Sequence, residues 1–265
     1  MQELSILKES YIILKKVAEG GTSNIYLAIH KKRNQLCIIK KIPKESIKDI
    51  TIFSRESVKE SVILAELNHP YIPRLIEVVR EEDITFIIME FINGVSLDKV
   101  IKRFGSQLER DVILWGIQLC ELFLYLHTRA EPIIYRDLKP ANIILRVSGE
   151  IVLIDFGAAK IFRAEKREDT VCLGTVGYAA PEQFGDNGQS DERTDIYGIG
   201  TTLYHLITGE NPQNLRAKKS VFRTKSFNCS RKMKNIIYKC TEPNPQNRYQ
   251  SCAKLLDDLK RCNKQ

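Results

Sequence analysis

Nowhere in these 265 residues is there a run of about 18 apolar side chains, the length a helix needs to cross a bilayer. A membrane span is therefore not expected within them, and one beyond Gln265 in a longer parent protein stays open. The opening "MQELSILKES" lacks the apolar core of a signal peptide. The seven cysteines, at 37, 120, 172, 229, 240, 252 and 262, form no C-x-x-C pair, which argues against a disulfide framework and a zinc site. Several sit in apolar patterns, where cysteine behaves as a small hydrophobe, and a reducing compartment fits. There is no low-complexity tract, no internal repeat and no nucleic-acid module signature.

What is present describes a folded chain of some size. Apolar residues make up 43%, enough for a sizeable core, and charged residues 28%. The length exceeds the usual domain size of about 100–150 residues, so one two-lobed domain or two small ones is expected. The net charge of +8 is spread along the chain. Local clusters such as His30 to Arg33 and Arg216 to Lys219 read as solvated loops, and nucleic acid is not an expected partner.

The first ninety residues read as strands. "YIILKKVAE", "NIYLAIH", "QLCIIKKI" and "ITFIIMEFI" are rich in β-branched and aromatic residues, with Gly20-Gly21 between the first two and Asn93-Gly94 as a turn after the last. Between them, Val58, Val62, Ile63 and Leu67 recur at helical spacing, and His69-Pro70 ends the pattern. The character then changes. Glu109 to His127 is a long core-helix candidate, a second runs from about Thr194 to Thr208 and stops at Gly209, and the tail from Lys232 to Arg261 alternates helix with the loop "EPNPQNR".

The stretch "IIYRDLKPANIIL", Ile133 to Leu145, read alone, is a hairpin: two apolar runs with Pro140 and charges in the turn. Its company changes the reading. "CIIKKI" stands upstream, and "IVLIDFGAAK", "GTVGYAAPEQ", "DIYGIG" and "NPQNRYQS" follow. One such motif is weak, but the ordered set resembles the eukaryotic-like, or Hanks-type, protein serine/threonine kinases, with the bacterial members most similar. The resemblance implies an α+β, bilobal kinase fold. Its small antiparallel-sheet lobe carries one regulatory helix, and its larger lobe is mainly helical. It implies a domain over about 8–262, with an N-lobe of about 8–91, a hinge at about 90–93 and a C-lobe of about 94–262.

The resemblance also assigns roles. Asp137 would orient the substrate hydroxyl and accept its proton, and Lys139 would stabilise the phosphoryl group in transfer. Asn142 and Asp155 would supply oxygens to the metal, a hard cation that prefers them. Lys40 would meet the nucleotide phosphates from the end of an apolar strand, paired with Glu60 on the helix; Glu66 is the competing choice. Ala18, Gly20, Ser23 and Ile25 stand in the glycine-rich-loop positions. Only Gly20 keeps the family residue, so a stiffer loop is expected. Ile38 stands where an alanine is usual, a bulkier wall for the base. Met89 and Ile144 would line the base pocket, and backbone groups of Glu90 and Ile92 would bond it. Tyr135 replaces the usual histidine and is expected in the core. Gly157 would give the next segment freedom to move.

ATP and Mg²⁺, with Mn²⁺ as an alternative, are the implied cofactors, and protein Ser/Thr hydroxyls the substrates. Thr175 would bond Asp137 and Lys139, Glu182 would pair with Arg248, and Asp195 would hold the catalytic loop backbone, a role compatible with capping its helix. Arg136 and Lys160 would receive a phosphate on the following loop, with Thr170 the candidate and Val171 in the place phosphorylated in some relatives. A homodimer for trans-autophosphorylation and a cytoplasmic location follow, the chain standing alone or as part of a membrane-anchored parent. Two rivals stay open: a pseudokinase scaffold, favoured by the altered glycine loop, and a small-molecule kinase, disfavoured by the Ala180-Pro181-Glu182 segment and the Arg248 partner.

Overall fold

The fold is that of a computed structural model. It describes residues 7, 9–19, 23–43, 53–81, 84–162, 174–184, 189–214 and 229–263, with the backbone alone for 43 and 53–59. The expectations placed on Gly20, Gly21, Thr170, Val171 and Cys172, on the cluster at 216–219, on the Val58 side chain and on a boundary at residue 8 lie outside the described residues. Two compact units divide the chain between Asn93 and Gly94.

The first unit is a five-stranded antiparallel sheet with a helix. Strands β1 (Tyr11–Glu19), β2 (Asn24–His30), β3 (Gln35–Pro43), β4 (Leu75–Glu81) and β5 (Ile84–Glu90) lie in the order β1-β2-β3-β5-β4. β4, "LIEVVRE", has no clean period and is not announced by the sequence. Alternation along the strands gives the sheet two faces. On one, Ala28, Cys37, Ile39, Phe86 and Ile88 are wholly buried, and Leu7 and Tyr11 close over them. Each such large apolar side chain contributes about 1.5–3 kcal/mol.

Helix α1 (Phe53–Glu66) has its described inner stripe at Glu60, Ile63 and Leu64, continued by Leu67 just past its end. This is the i, i+3, i+4, i+7 pattern, with a carboxylate in its first place. Val62, which the spacing alone turns inward, is 43% exposed. The buried side keeps Ile63 and Leu67, leaves Val62 outside and takes in Glu60, Ser61 and Leu64.

In the second unit Gly94 opens a strand, β6 (Gly94–Ser96), instead of making the expected turn. A Cβ on Gly94 would lie 2.4 Å from the Leu145 carbonyl oxygen, so β6 packs this closely only with glycine there. Helix α2 (Leu97–Phe104) follows, then α3 (Glu109–His127), over the span expected. Helix α4 (Glu192–Thr208) starts earlier than expected because Asp191 caps it, in a capping box with Thr194, and it ends at Gly209 with φ of 69°. Helices α5 (Arg231–Cys240) and α6 (Cys252–Asn263) complete the unit. Leu203 of α4 and Leu259 of α6 approach the Gly116 position on α3 to 3.2 Å, and Cys240 lies 2.5 Å from a Cβ built on Gly200. At Gly200 a contact this close leaves no space for a side chain, and at Gly116 the two leucine ends would have to give way.

The stretch from Ile133 to Leu145 is not a simple hairpin. Its first run, β7 (Ile133–Ile134), pairs with β10 (Lys160–Ile161). Its second, β8 (Ile143–Arg146), pairs with β6 and with β9 (Ile151–Leu153). The polar residues between therefore bridge two small sheets. Among the described residues no helix is long and apolar enough to cross a membrane, and all six described cysteines are free thiols.

Candidate active site

In the first unit, strand register places the candidate residues. Ala18 faces Ile25, Ile25 faces Lys40, and Ile38 faces Met89. Directly opposed residues share a face, as do residues two apart. Ala18, Ile25, Ile38, Lys40 and Met89 therefore all stand on the face opposite the Phe86 core. Lys40 sits within β3 and not at a strand end. Its Nζ lies 2.8 and 2.9 Å from the two carboxylate oxygens of Glu60, and the residues are 8% and 2% exposed. Glu66, the competitor, is exposed. The Glu90 N–H donates to the Arg74 carbonyl at 2.9 Å, so a base contact at Glu90 falls to its carbonyl oxygen. Ile92 is buried and Ser23 half-buried.

In the second unit, Asp137 is gripped by three side chains. Thr175 Oγ1 donates to Oδ1 at 2.7 Å, and Lys139 Nζ to Oδ2 at 2.8 Å. Asn142 Nδ2 donates to Oδ2 at 3.1 Å and to the Asp137 carbonyl at 2.9 Å. Lys139 also donates to Thr175 Oγ1 at 2.7 Å, which closes the ring. The Asn142 N–H groups are thus committed to Asp137, and its amide oxygen is the atom suited to a cation.

Asn142 and Asp155 reach the same place through one hairpin. β8 and β9 pair Ile143 with Leu153 at their open end, and the Ile154 N–H donates to the Asn142 carbonyl at 2.8 Å. Asn142 precedes the first paired residue, and Asp155 follows the bonded one. Asp155 is exposed and takes a left-handed backbone, φ 67°, two residues before Gly157. Ile144 sits half-buried on the same hairpin, opposite Val152.

The loop before Asp137 is held from α4. Asp195 lies one turn inside the helix, so it is not the cap; that is Asp191. Its carboxylate accepts from the backbone N–H groups of Tyr135 at 2.9 Å and Arg136 at 2.8 Å, and from His127 Nε2 at 2.8 Å. Arg136 has φ of 71°, a strained setting for a side-chain-bearing residue that costs about 1–3 kcal/mol. Three bonds force it: the one from Asp195, one from Arg136 Nε to the Ala158 carbonyl at 2.7 Å, and one from Gln183 Nε2 to the Arg136 carbonyl at 2.9 Å. Tyr135 is fully buried between Phe123 and Phe156 and donates to the Ile154 carbonyl at 2.7 Å; burial pushes its phenol well above the ordinary range.

Farther out, Arg248 forks onto Glu182 at 2.7 and 2.8 Å and donates to the Glu242, Arg193 and Pro243 carbonyls. His127 and Gln183 carry much of this bracing; Gln183 closes the stretch "GTVGYAAPEQ", but no local pattern gives either residue its bracing role. Their partners lie dozens of residues away.

Comparison with known proteins identifies the family. Residues 11–265 match the family model described as the protein kinase domain. A probable serine/threonine-protein kinase of Clostridium perfringens is 31% identical over 98% of this chain and 39% of its own length. The serine/threonine-protein kinase PrkC of Bacillus subtilis is 28% identical over 94% of the chain and 40% of its own. The human serine/threonine-protein kinase Nek5 is 30% identical over 91% and 35%. The chain thus spans about two fifths of the length of the first two. With the family match running through nearly the whole chain, and the Asp137 ring and Lys40–Glu60 pair standing within it, this chain belongs to the protein kinase domain family.

Proposed function

We propose that this chain transfers the γ-phosphoryl group of ATP to Ser and Thr hydroxyls of proteins, itself included, with Mg²⁺ as the metal and Mn²⁺ able to replace it. The observation that carries the reading is the Asp137 ring. A carboxylate held by an ammonium, a hydroxyl and an amide is preorganised to receive one more hydrogen bond, from the substrate hydroxyl, and then its proton. Lys139, already at Asp137, offers its charge to the phosphoryl oxygens. An amide oxygen and an exposed carboxylate at one hairpin end fit a hard divalent cation. When bound, the metal nucleotide supplies the phosphoryl group and neutralises charge on the phosphates.

Lys40, held by Glu60, is assigned to the nucleotide phosphates. The sheet face bearing Ala18, Ile25, Ile38 and Met89, with Ser23 beside it and Gly20 between them in sequence, is assigned to the nucleotide, with Ile144, the Glu90 carbonyl and the Ile92 backbone at the base. The domain is assigned to 8–262. The names of the relatives, all serine/threonine kinases, support the substrate class. The test is incubation with labelled ATP, a generic basic protein and Mg²⁺ or Mn²⁺. Label on the protein substrate, lost in Asp137→Asn and Lys40→Ala, supports the reading. Nucleotide binding with no transfer to any acceptor would favour the scaffold reading instead.

A further inference from the structure

Several side chains of α4 hold the segments that meet at Asp137, Thr194 and Thr201 among them, and two of these side chains, Asp195 and His205, differ in how they respond to protons. Asp195 holds the 135–136 backbone through a carboxylate. His205, ten residues on and so about 15 Å along the helix, holds the segment that carries Thr175. The Tyr178 hydroxyl lies 2.5 Å from His205 Nδ1, and both residues are 8% exposed. Tyr178 is bound back to the catalytic ring through its own backbone. Its N–H and that of Ala179 both donate to the Thr175 carbonyl at 3.0 Å, and the Thr175 hydroxyl is the Asp137 partner. Tyr178 also stands in the same tightly packed cluster as Asp137, Gln183 and Asp195.

A carboxylate goes on accepting hydrogen bonds across the whole neutral range. An imidazole nitrogen accepts only while it is unprotonated. We propose that His205 is a proton-gated positioning residue: neutral, its Nδ1 accepts the Tyr178 hydroxyl and keeps the Thr175 segment against Asp137; protonated, Nδ1 can only donate to the Tyr178 oxygen, the buried phenol hydrogen loses its acceptor, and the segment loosens. The proposal rests on the kinase reading for its functional consequence and on the Tyr178–His205 contact for its structural one.

Among the described residues, two titratable groups face His205. From the 174–184 segment there is Tyr178; from α2 there is Asp98, which itself pairs with Lys102 at 2.9 Å. Burial lowers the His205 pKa from its ordinary value, and the Asp98 carboxylate opposes that. The neutral, accepting form is thus the resting one near pH 7, and acid converts it. Burial also raises the Tyr178 phenol well above its ordinary range, so it keeps its proton throughout.

The test pairs amide hydrogen exchange with phosphoryl transfer between pH 7.5 and pH 5, on the wild type, His205→Asn and Tyr178→Phe. In His205→Asn the amide oxygen sits near the Nδ1 position and accepts at every pH. The expected result is loss of protection at the Tyr178 and Ala179 amides of the wild type on acidification, corrected for intrinsic exchange. His205→Asn keeps its protection, and Tyr178→Phe is already loose at pH 7.5. Transfer by the wild type should fall at least about threefold more than that of His205→Asn over the same interval. Equal loss of protection in wild type and His205→Asn would overturn the proposal, as would parallel pH–rate profiles. Protection that responds as expected in a protein transferring no phosphate at any pH would uphold the anchor and defeat the kinase reading instead.

Discussion

The two units place functional groups by different means. In the sheet unit, Lys40 and the residues that accompany it are set by strand register: neighbours two apart or directly opposed share a face, and nothing else is needed to align Ala18, Ile25, Ile38 and Met89 with it. In the helical unit, Asp137 lies in a loop between two small sheets. Its position depends on hydrogen bonds to residues as distant as Thr175, Gln183 and Asp195. A repeating lattice is robust to the loss of one contact. A loop braced by single long-range bonds is not, and the proposed chemistry rests on the second kind of structure.

The largest test of that contrast is Asp137→Asn. It should lower the rate of transfer by about 10²–10⁴-fold, the usual worth of a positioned base, while leaving nucleotide binding nearly intact. Equal damage to both, measured by turnover and by nucleotide titration, would mean the helical unit does not specialise in chemistry. Next comes Arg248→Ala. The Arg248 side chain is 0% exposed and that of Glu182 14%, so removing the cation strands a largely buried carboxylate. A stability loss of about 3–5 kcal/mol in urea unfolding is expected. A loss under about 1 kcal/mol would show that the pair is solvated as surface pairs are.

Gly200→Ala follows, at about 1–3 kcal/mol, because its new methyl carbon would meet Cys240 at 2.5 Å. Acidification has a smaller effect, with a definite sign. The His205 pKa is lowered in the fold by burial, so its contribution is present above the ordinary imidazole value and is lost as the pH falls through the lowered one. The melting temperature should therefore drop more between pH 7 and pH 5 in the wild type than in His205→Asn. The smallest effect belongs to the sheet unit: Val62→Ser, on the exposed side of α1, should change stability by no more than about 0.5 kcal/mol. A larger cost would return Val62 to the inner stripe, where the spacing alone put it.

Much of this could be read from the residues, and the exceptions share a cause. Helix α3 was legible because apolar side chains fill it from Glu109 to His127. The strand-rich start and helical remainder were legible from period. The candidate site was legible only as an ordered set of motifs, since "IIYRDLKPANIIL" by itself reads as a hairpin and folds as a bridge between sheets. Strand β4 stayed hidden because its residues mix charge and apolar character without alternation. The roles of His127, Gln183 and the Tyr178–His205 contact were also hidden. Each depends on a partner from 27 to 68 residues away, and no local pattern encodes such a distance.

The hairpin of β8 and β9 has one more consequence. Its closed end, where Val147 is 95% exposed and Gly149 turns with φ of 88°, points away from the end that presents Asn142 and Asp155. Extra residues spliced in at Ser148 would lengthen the tip and leave both oxygens where they stand. The same number added after Leu153 would break the coupling between them. One half of this small ribbon is thus open to elaboration, and the other admits no change in length.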